Sequence, residues 1–285
     1  MNFLILFVLG ASIGSFIGVI GDRYKENLPV WSKKIIGGRS RCESCGRQLR
    51  WFELIPVLSF ILQRGKCNSC GKRLGWRYLA VELASGFLFV FVPMVISREF
   101  YVLTTSFYIL SVLWISVFSV LLVVSIIDYR LRLIPDEANL GLAFLGVLIT
   151  ALRPFNETSG SFMGYYGILF GFHSDRWLNH FLAAALAGIF FAILILVTKG
   201  RGMGGGDMKL VAAMGLIFGW PDIVLVAILS FIIGSVFGIG AIMLKKEKFK
   251  SKIAFGPFMA FSGLLVFFFG YQIMSFYFGL LGVGT

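Results

Sequence analysis

The chain has 285 residues, of which 58% are hydrophobic and 14% are charged, with a net charge of +12. Soluble domains carry about 25% charged residues, so this composition excludes an ordinary soluble globular protein. Several apolar runs have the roughly 18 or more residues needed to cross a bilayer, and no period-two alternation indicates a β-barrel. The sequence therefore predicts an all-α, polytopic membrane protein.

The apolar runs predict about eight transmembrane helices, which span 3–21, 79–97, 101–127, 135–152, 178–198, 207–219, 222–244 and 255–281. Half of the 26 Lys and Arg residues fall in segment 22–78, and most of the others fall in 128–134, 199–209 and 245–252. An eight-span topology puts these four segments on one side, which the positive-inside rule identifies as the cytosol, with both termini outside. The positive charge is then explained by the orientation of the protein in the membrane. It does not indicate binding to nucleic acid, which is not an expected partner.

Three regions are expected along the chain: a first transmembrane helix at 1–21, a cytosolic loop domain at 22–78 and a transmembrane core at 79–285. The first helix has no basic segment before its apolar run, so an uncleaved span is expected rather than a signal peptide. The loop domain has a surplus of basic residues, which favours contact with anionic membrane lipid at the cytosolic surface.

All four cysteines lie in the loop domain, in the motifs CESC and CNSC. The repeated C-x2-C pattern predicts a Zn²⁺ site made by four thiolates, those of Cys42, Cys45, Cys67 and Cys70. Two disulfides are the alternative, but a cytosolic location disfavours them. Because no histidine lies nearby, the site is expected to be closed and structural, stabilising a loop that has few apolar residues.

Two aspartates at the ends of predicted helices are candidates for catalysis, because ionisable residues at membrane depth are costly. Asp128 ends the third span and Asp207 begins the sixth, so both are expected at the cytosolic face. Two aspartates at close range can share a proton, activate a water and protonate a leaving amine, as in aspartic proteases. Ser–His–Asp chemistry is not expected there, because both histidines are predicted on the outer side.

Each acidic candidate also has a structural interpretation. Asp128 could pair with Arg132 one turn later, and Asp207 could cap its helix. Glu82, one turn into the second span, and Asp136, at the start of the fourth, are candidates for substrate binding. Their alternatives are an interfacial ion pair for Glu82 and a helix start beside a proline for Asp136.

Three glycines, Gly204, Gly205 and Gly206, stand directly before Asp207 in the stretch GMGGGDMK. Glycine has no side chain to block an extended substrate backbone, so these residues are predicted to bind substrate next to the carboxylate. A flexible connector is the alternative. Glycine-rich nucleotide loops need a preceding strand, whereas an apolar helix is predicted here, so a nucleotide-binding loop is not expected.

At these motifs the sequence resembles the bacterial type IV prepilin peptidases, bifunctional leader peptidase/N-methyltransferases with a G-x-G-D element. The resemblance covers nearly the whole chain and includes the stretches GSFIGVIGDR, GKCNSCGKRLGWRYLAVE, IDYRLRLIPD, GMGGGDMKLVAAMGLIFGW and FGPFMA. Two positions depart from the family pattern: Gly18 stands where the family usually has Asn, and Ala254 stands where it usually has Pro.

The resemblance implies a bacterial inner-membrane enzyme that cleaves prepilins and pseudopilins at the cytosolic face, after a glycine that ends a basic leader. It also implies methylation of the new amino terminus with S-adenosyl-L-methionine, in the service of a type IV pilus or type II secretion. Asp128 and Asp207 match the family's catalytic aspartates, and the four cysteines match its zinc ligands.

Three alternatives remain: a membrane transporter that uses the carboxylates as an ion path, a methyltransferase or scaffold that does not cleave, and a peptidase without methyltransferase activity. A transporter would need acids near the bilayer midplane. The acids here cluster at one end of the predicted helices, which disfavours that alternative.

Overall fold

The computed structural model describes residues 2–26, 28–42, 44–97, 104–152, 161–170, 175–200, 202–244 and 253–282. The side chains of 168–170 are not part of that description. Regular structure within these ranges is helical, apart from two isolated β-bridges in the loop domain. Internal contacts divide the chain into two units, Met1–Ile127 and Asp128–Thr285.

The first unit is built on a close pair of helices, α1 (Phe3–Arg23) and α4 (Trp76–Ile96). Small residues make this approach possible. A Cβ added to Gly10 would lie 2.7 Å from the backbone oxygen of Ser85, and one added to Gly14 would lie 2.7 Å from the Ser85 Cβ. Packing of backbone on backbone through small residues is typical of helix pairs in membranes, where apolar burial gives no driving force.

The loop domain between these helices contains three short helical elements: α2 (Lys33–Ile36), a 3₁₀ turn (Trp51–Leu54) and α3 (Leu58–Leu62). Its two ends are joined by an ion pair between Asp22, in the last turn of α1, and Arg77, in the first turn of α4. The guanidinium group of Arg23 also donates hydrogen bonds to the backbone carbonyls of Gly37 and Arg39. The loop therefore begins and ends on the α1–α4 pair.

Helix α5 (Thr105–Leu131) lies in the first unit except for its last turn, which begins the second unit. The second unit continues with six helices: α6 (Asp136–Leu152), α7 (Tyr165–Phe170), α8 (Arg176–Val197), α9 (Gly205–Phe218), α10 (Asp222–Met243) and α11 (Gly256–Leu280). Helix α9 packs against both α6 and α8, and α10 packs against α11. Leu210, Met214 and Ile217 of α9 are buried at helical spacing, which makes α9 the centre of this unit.

The prediction of an all-helical, polytopic membrane protein is confirmed. Among the described residues, six helices are long and apolar enough to cross a membrane: α1, α4, α5, α8, α10 and α11. The other two predicted spans are also helices, α6 with 17 residues and α9 with 14. Residues 101–103 of the third predicted span and the basic segment 245–252 lie outside the described residues. The predicted domain boundaries at 22 and 79 stay a prediction.

Candidate active site and candidate metal centre

Asp128 stands at the carboxyl end of α5, where the helix stops. The backbone N–H of Arg132 closes the last turn on the Asp128 carbonyl oxygen at 2.8 Å, and Arg132 itself adopts a left-handed φ of 55°. The Asp128 side chain is buried, with 4% of the residue exposed. Its Oδ2 accepts a hydrogen bond of 2.8 Å from the backbone N–H of Gly256, the first residue of α11. The carboxylate is therefore held by a helix that begins far away in sequence.

Asp207 occupies the first turn of α9, where helix N–H groups lack partners within the helix. Its Oδ2 accepts a hydrogen bond of 2.9 Å from the backbone N–H of Gly204. The side chain thus reaches back to the residue before the helix. In a capping box, this is the hydrogen bond that the acidic residue of the first turn accepts from the N-cap backbone N–H. The capping interpretation from the sequence is correct, and it fixes the orientation of the same carboxylate that the catalytic interpretation needs.

The second unit brings the two aspartates into one neighbourhood. Gly206, next to Asp207, lies against the segment after α5, so that a Cβ added to it would be 3.2 Å from the Cβ of Ile134. The carboxylates of Asp128 and Asp207 are close enough to interact electrostatically, and the charge of Arg132 also acts on Asp128. Each carboxylate has a backbone N–H on one oxygen. This arrangement provides two oriented acids for proton transfer.

The three glycines before Asp207 form the start of α9 rather than a free connector. Gly204 is the N-cap residue, and Gly205 and Gly206 are the first two helical residues. Gly204 and Gly205 are exposed, and a Cβ built on Gly205 would meet nothing within 4 Å. The backbone next to Asp207 therefore presents an uncovered surface, and substrate binding by these glycines stays a prediction.

Glu82 and Asp136, the two other acids predicted to bind substrate, both have partners inside the protein. Glu82 is buried, and its Oε2 accepts a hydrogen bond of 2.7 Å from the backbone N–H of Val57. Val57 has a left-handed φ of 63°, which is unusual for a β-branched residue, so Glu82 stabilises this bend of the loop domain. Asp136 is exposed, and both of its oxygens accept from Lys209 Nζ, at 2.8 and 2.9 Å. Their roles in substrate binding stay predictions.

The four cysteines of the loop domain converge. Their sulfur atoms all lie within 4.8 Å of one another, and the sulfurs of Cys42 and Cys70 are 3.9 Å apart. None of the four forms a disulfide, which contradicts the disulfide alternative. Cys42 and Cys67 are buried, whereas Cys45 and Cys70 are exposed. Four thiols in this arrangement could hold one metal ion.

The two cysteine motifs fold into matching knuckles. In the first, the N–H of Cys42 donates to the Arg47 carbonyl and the N–H of Gly46 donates back to the Cys42 carbonyl, both at 2.9 Å. Cys67 makes the same two hydrogen bonds in the second knuckle, again at 2.9 Å. Gly46 and Gly71 have left-handed φ angles of 71° and 69°, a conformation that costs glycine least.

Glu53 joins the two knuckles, a role that the sequence did not predict. The backbone N–H of Arg50 donates to its Oε2 at 2.8 Å, and the side-chain amide of Asn68 donates to its Oε1 at 3.1 Å. The guanidinium of Arg47 forms an ion pair with that Oε1. Burial alone would raise the pKa of the Glu53 carboxyl group, but these three donors outweigh burial and hold the pKa below its usual range. The one indication of this role in the sequence was that Glu53 is an acidic residue in a strongly basic loop.

We expect the substitution Glu53→Gln to loosen the loop domain by about 2 kcal/mol, because a buried charge that accepts three hydrogen bonds is replaced by a neutral amide. The rate of limited proteolysis within 22–78 should rise accordingly in the metal-loaded protein. Glu26→Gln is the matched control, since Glu26 is an exposed glutamate of the same loop. Equal proteolysis rates for the two variants would show that Glu53 does not hold the knuckles together.

Comparison with known proteins gives matches along most of the chain. Residues 8–96 match the family model of the bacterial Peptidase A24 N-terminal domain, and residues 115–239 match that of the type IV leader peptidase family. A prepilin leader peptidase/N-methyltransferase of Bacillus subtilis (strain 168) is 32% identical over 275 residues, which is 96% of either chain. Proteins with the same name from Aeromonas salmonicida (strain A449) and Stutzerimonas stutzeri are 28% and 30% identical, covering 97% and 95% of this chain and 94% and 91% of theirs. No solved structure matches the chain significantly.

Proposed function

The chain belongs to the type IV leader peptidase family, and on that premise we propose that it removes the leader peptide from prepilins and methylates the new amino terminus. The observation that carries the proposal is the pair of oriented carboxylates, Asp128 and Asp207, within one helical unit. Pseudopilins are proposed as further substrates, and the cleavage position is proposed to follow a glycine.

Asp128 and Asp207 act in this proposal as a shared acid and base. One carboxylate takes a proton from a water, whose oxygen then bonds to the carbonyl carbon of the scissile peptide. The other carboxyl group gives its proton to the leaving nitrogen as the C–N bond breaks, which returns the pair to one shared proton. The backbone N–H groups of Gly256 and Gly204 keep one oxygen of each carboxylate in place during these transfers.

Methylation follows cleavage in this proposal, with the freed amine as the nucleophile. S-adenosyl-L-methionine, when bound, supplies the electrophilic methyl group.

Zn²⁺ is the metal that fits the cysteine cluster best. Four thiolates with Zn–S bonds of about 2.3 Å place their sulfurs at tetrahedral spacing, and the clustered sulfurs of this loop suit such a set. The backbone N–H groups of Cys45 and Ser44 donate to the sulfur of Cys42, which stabilises the thiolate form that binds metal. With all four positions taken by protein sulfur, the ion would have a structural role.

The protein is a multi-pass membrane protein, and we propose the bacterial inner membrane as its location. The distribution of basic residues supports an active site at the cytosolic face, both termini outside and anionic lipid next to the loop domain. Asp128 in the last turn of α5 and Asp207 in the first turn of α9 agree with a site at one membrane face rather than an ion path through the midplane.

The proposal is tested by incubating the purified protein with a prepilin and following the substrate by mass spectrometry. We expect loss of the leader first and a gain of one methyl group afterwards, the second step only when S-adenosyl-L-methionine is added. A substrate mass that stays constant would overturn the peptidase proposal. Cleavage without methylation would leave a peptidase and remove the second activity.

A further inference from the structure

Helix α3 of the loop domain has an exposed apolar face. Leu58, Ile61 and Leu62 are spaced as one face of a helix, and they are 49%, 59% and 72% exposed. The 3₁₀ turn, which contacts α3, adds the exposed side chains of Trp51 and Leu54. Large apolar side chains that are grouped on a surface mark a site of contact with a membrane or with another protein.

Hydrogen bonds place the bend before α3 beside the interior of the α1–α4 pair. The backbone N–H of Val57 donates to Oε2 of Glu82, which lies six residues into α4, about 9 Å along its axis. The hydroxyl group of Ser15 donates to the same carboxylate, and Ser15 lies eight residues before the end of α1, about 12 Å along that axis. Both helices have the length and apolarity of membrane spans. Val57 therefore lies near the level where headgroups meet acyl chains.

A ring contact fixes the orientation of α3 next to α4. The rings of Phe60 and Trp76 have their centroids 5.6 Å apart, and Trp76 is the first residue of α4. Tryptophan at the end of a span is typical of the membrane interface. Phe60 lies on the side of α3 opposite to the exposed leucines, since successive residues of a helix are about 100° apart. The exposed face of α3 therefore points away from the α1–α4 pair.

Backbone donors at the bend have partners, as insertion into lipid requires. Pro56 has no N–H, Val57 donates to Glu82, and the N–H of Ser59 donates to the carbonyl oxygen of Ile55 at 3.0 Å. An unpaired N–H is costly in lipid, because no water is present to replace its partner. The carboxylate of Glu82, which is unusual within a membrane span, thus provides an acceptor for a donor outside any helix.

The exposed charges next to this apolar surface are positive. Arg50 and Arg64, on either side of the segment, are exposed, and so is Lys66. The one acid between them in the sequence, Glu53, is buried in its ion pair with Arg47. Basic groups at the edge of an apolar face are characteristic of segments that lie in the membrane interface, where they contact lipid phosphates. The charges therefore favour phospholipid as the occupant of this surface.

We propose that segment 51–62 is inserted into the membrane interface, with the exposed side chains of α3 among the acyl chains and Arg50 and Arg64 at the level of the phosphates. This goes beyond an electrostatic contact between the loop domain and anionic lipid, because apolar side chains leave water. The proposal rests on α1 and α4 crossing the membrane and is independent of leader cleavage. Since the segment lies between the CESC and CNSC motifs, it anchors the cysteine cluster at the membrane surface.

Photo-crosslinking to lipid tests the insertion. A photo-reactive phenylalanine replaces Leu62 or, as the control, Ser69, which is an exposed residue of the second knuckle. Each protein is reconstituted in nanodiscs of phosphatidylethanolamine and phosphatidylglycerol, irradiated and analysed by mass spectrometry. We expect about tenfold more phospholipid adduct at position 62 than at position 69, because only position 62 lies among acyl chains. Equal amounts of adduct at the two positions, or no adduct at either, would overturn the proposal.

Two further conditions identify the occupant. In nanodiscs of phosphatidylcholine, which has no net charge, the adduct at position 62 should persist, because the contact is apolar. Its loss there would mean that basic residues alone hold the loop near anionic lipid, which would contradict insertion. When a prepilin is added, the adduct at position 62 should still be phospholipid. Capture of the prepilin in place of lipid would make this a substrate surface and would also overturn the proposal.

A charge on the apolar face provides a second, independent measurement. In nanodiscs, Leu62→Glu is expected to speed trypsin cleavage after Arg64 by about tenfold, because a carboxylate at position 62 draws α3 out of the interface and exposes the bond to the protease. Ser69→Glu is the matched control and should leave the rate unchanged. A rate for Leu62→Glu equal to that of the original protein would contradict the insertion. The crosslinking result stands even if Leu62→Glu fails to fold.

Discussion

Replacing either Asp128 or Asp207 by asparagine is expected to lower kcat for leader cleavage by about 10³-fold or more, because each variant removes one of the two groups that exchange protons with water and the leaving amine. Asparagine keeps a side-chain oxygen that can accept the hydrogen bond from Gly256 or Gly204, so the local geometry should persist. The measurement is the rate of leader loss for each single variant at saturating prepilin.

The double variant distinguishes a shared mechanism from two separate effects. If the carboxylates act as one unit, the loss for both substitutions together should be close to the loss for either alone. Asp175→Asn is the control, since Asp175 is an exposed aspartate that caps α8 and asparagine caps a helix equally well. Rapid cleavage by the Asp128→Asn or Asp207→Asn variant would remove that residue from catalysis.

The substitution Gly256→Ala, which adds one side-chain methyl group, is expected to lower kcat for leader cleavage by about 100-fold. A Cβ built on Gly256 would lie 2.8 Å from Oδ2 of Asp128 and 3.3 Å from its Cγ, closer than carbon and oxygen normally approach. The carboxylate of Asp128 must then move or turn, and a shift of about 1 Å in a reacting group can cost that much in rate. We expect Gly256→Ala to act on kcat far more than on KM.

Gly240→Ala is the matched control, because Gly240 is also a helical glycine of this unit and a Cβ there would meet nothing within 4 Å. A second comparison tests the physical cause. In the Asp128→Asn background, Gly256→Ala should produce little further loss, because the group that it displaces no longer exchanges a proton. A full further loss in that background would mean that Gly256 acts through something other than Asp128.

The parts of the molecule that the sequence predicted are those that depend on local patterns. Hydropathy predicted each long helix, because a transmembrane segment is apolar over its whole length. It also predicted that the span beginning at Asp207 is short, and α9 has 14 residues. The cysteine spacing predicted the cluster, because a knuckle is closed by hydrogen bonds within six residues.

Contacts between distant segments were not predictable in the same way. Gly256 donates to Asp128 across 128 positions, and nothing in the stretch FGPF distinguishes a donor to a carboxylate from an ordinary helix start. Glu53 could equally have faced solvent, since its role depends on how two knuckles place Arg47 and Asn68 around it. Asn139 looks like any polar residue in the first turn of α6, although its side chain is buried with no hydrogen-bond partner among the described residues.

The equivalence of the two cysteine knuckles bears on how the loop domain assembles. Each knuckle closes its own hydrogen bonds and contributes one buried and one exposed cysteine, so each knuckle is one half of the site. Two sulfurs hold a metal weakly, whereas four hold it tightly, so a metal bound to all four cysteines would stabilise the contact between the two knuckles rather than the folding of either one. Removal of such a metal would leave each knuckle with its own hydrogen bonds and leave Glu53 as the remaining link between them, so metal binding would restore the site without refolding the whole loop.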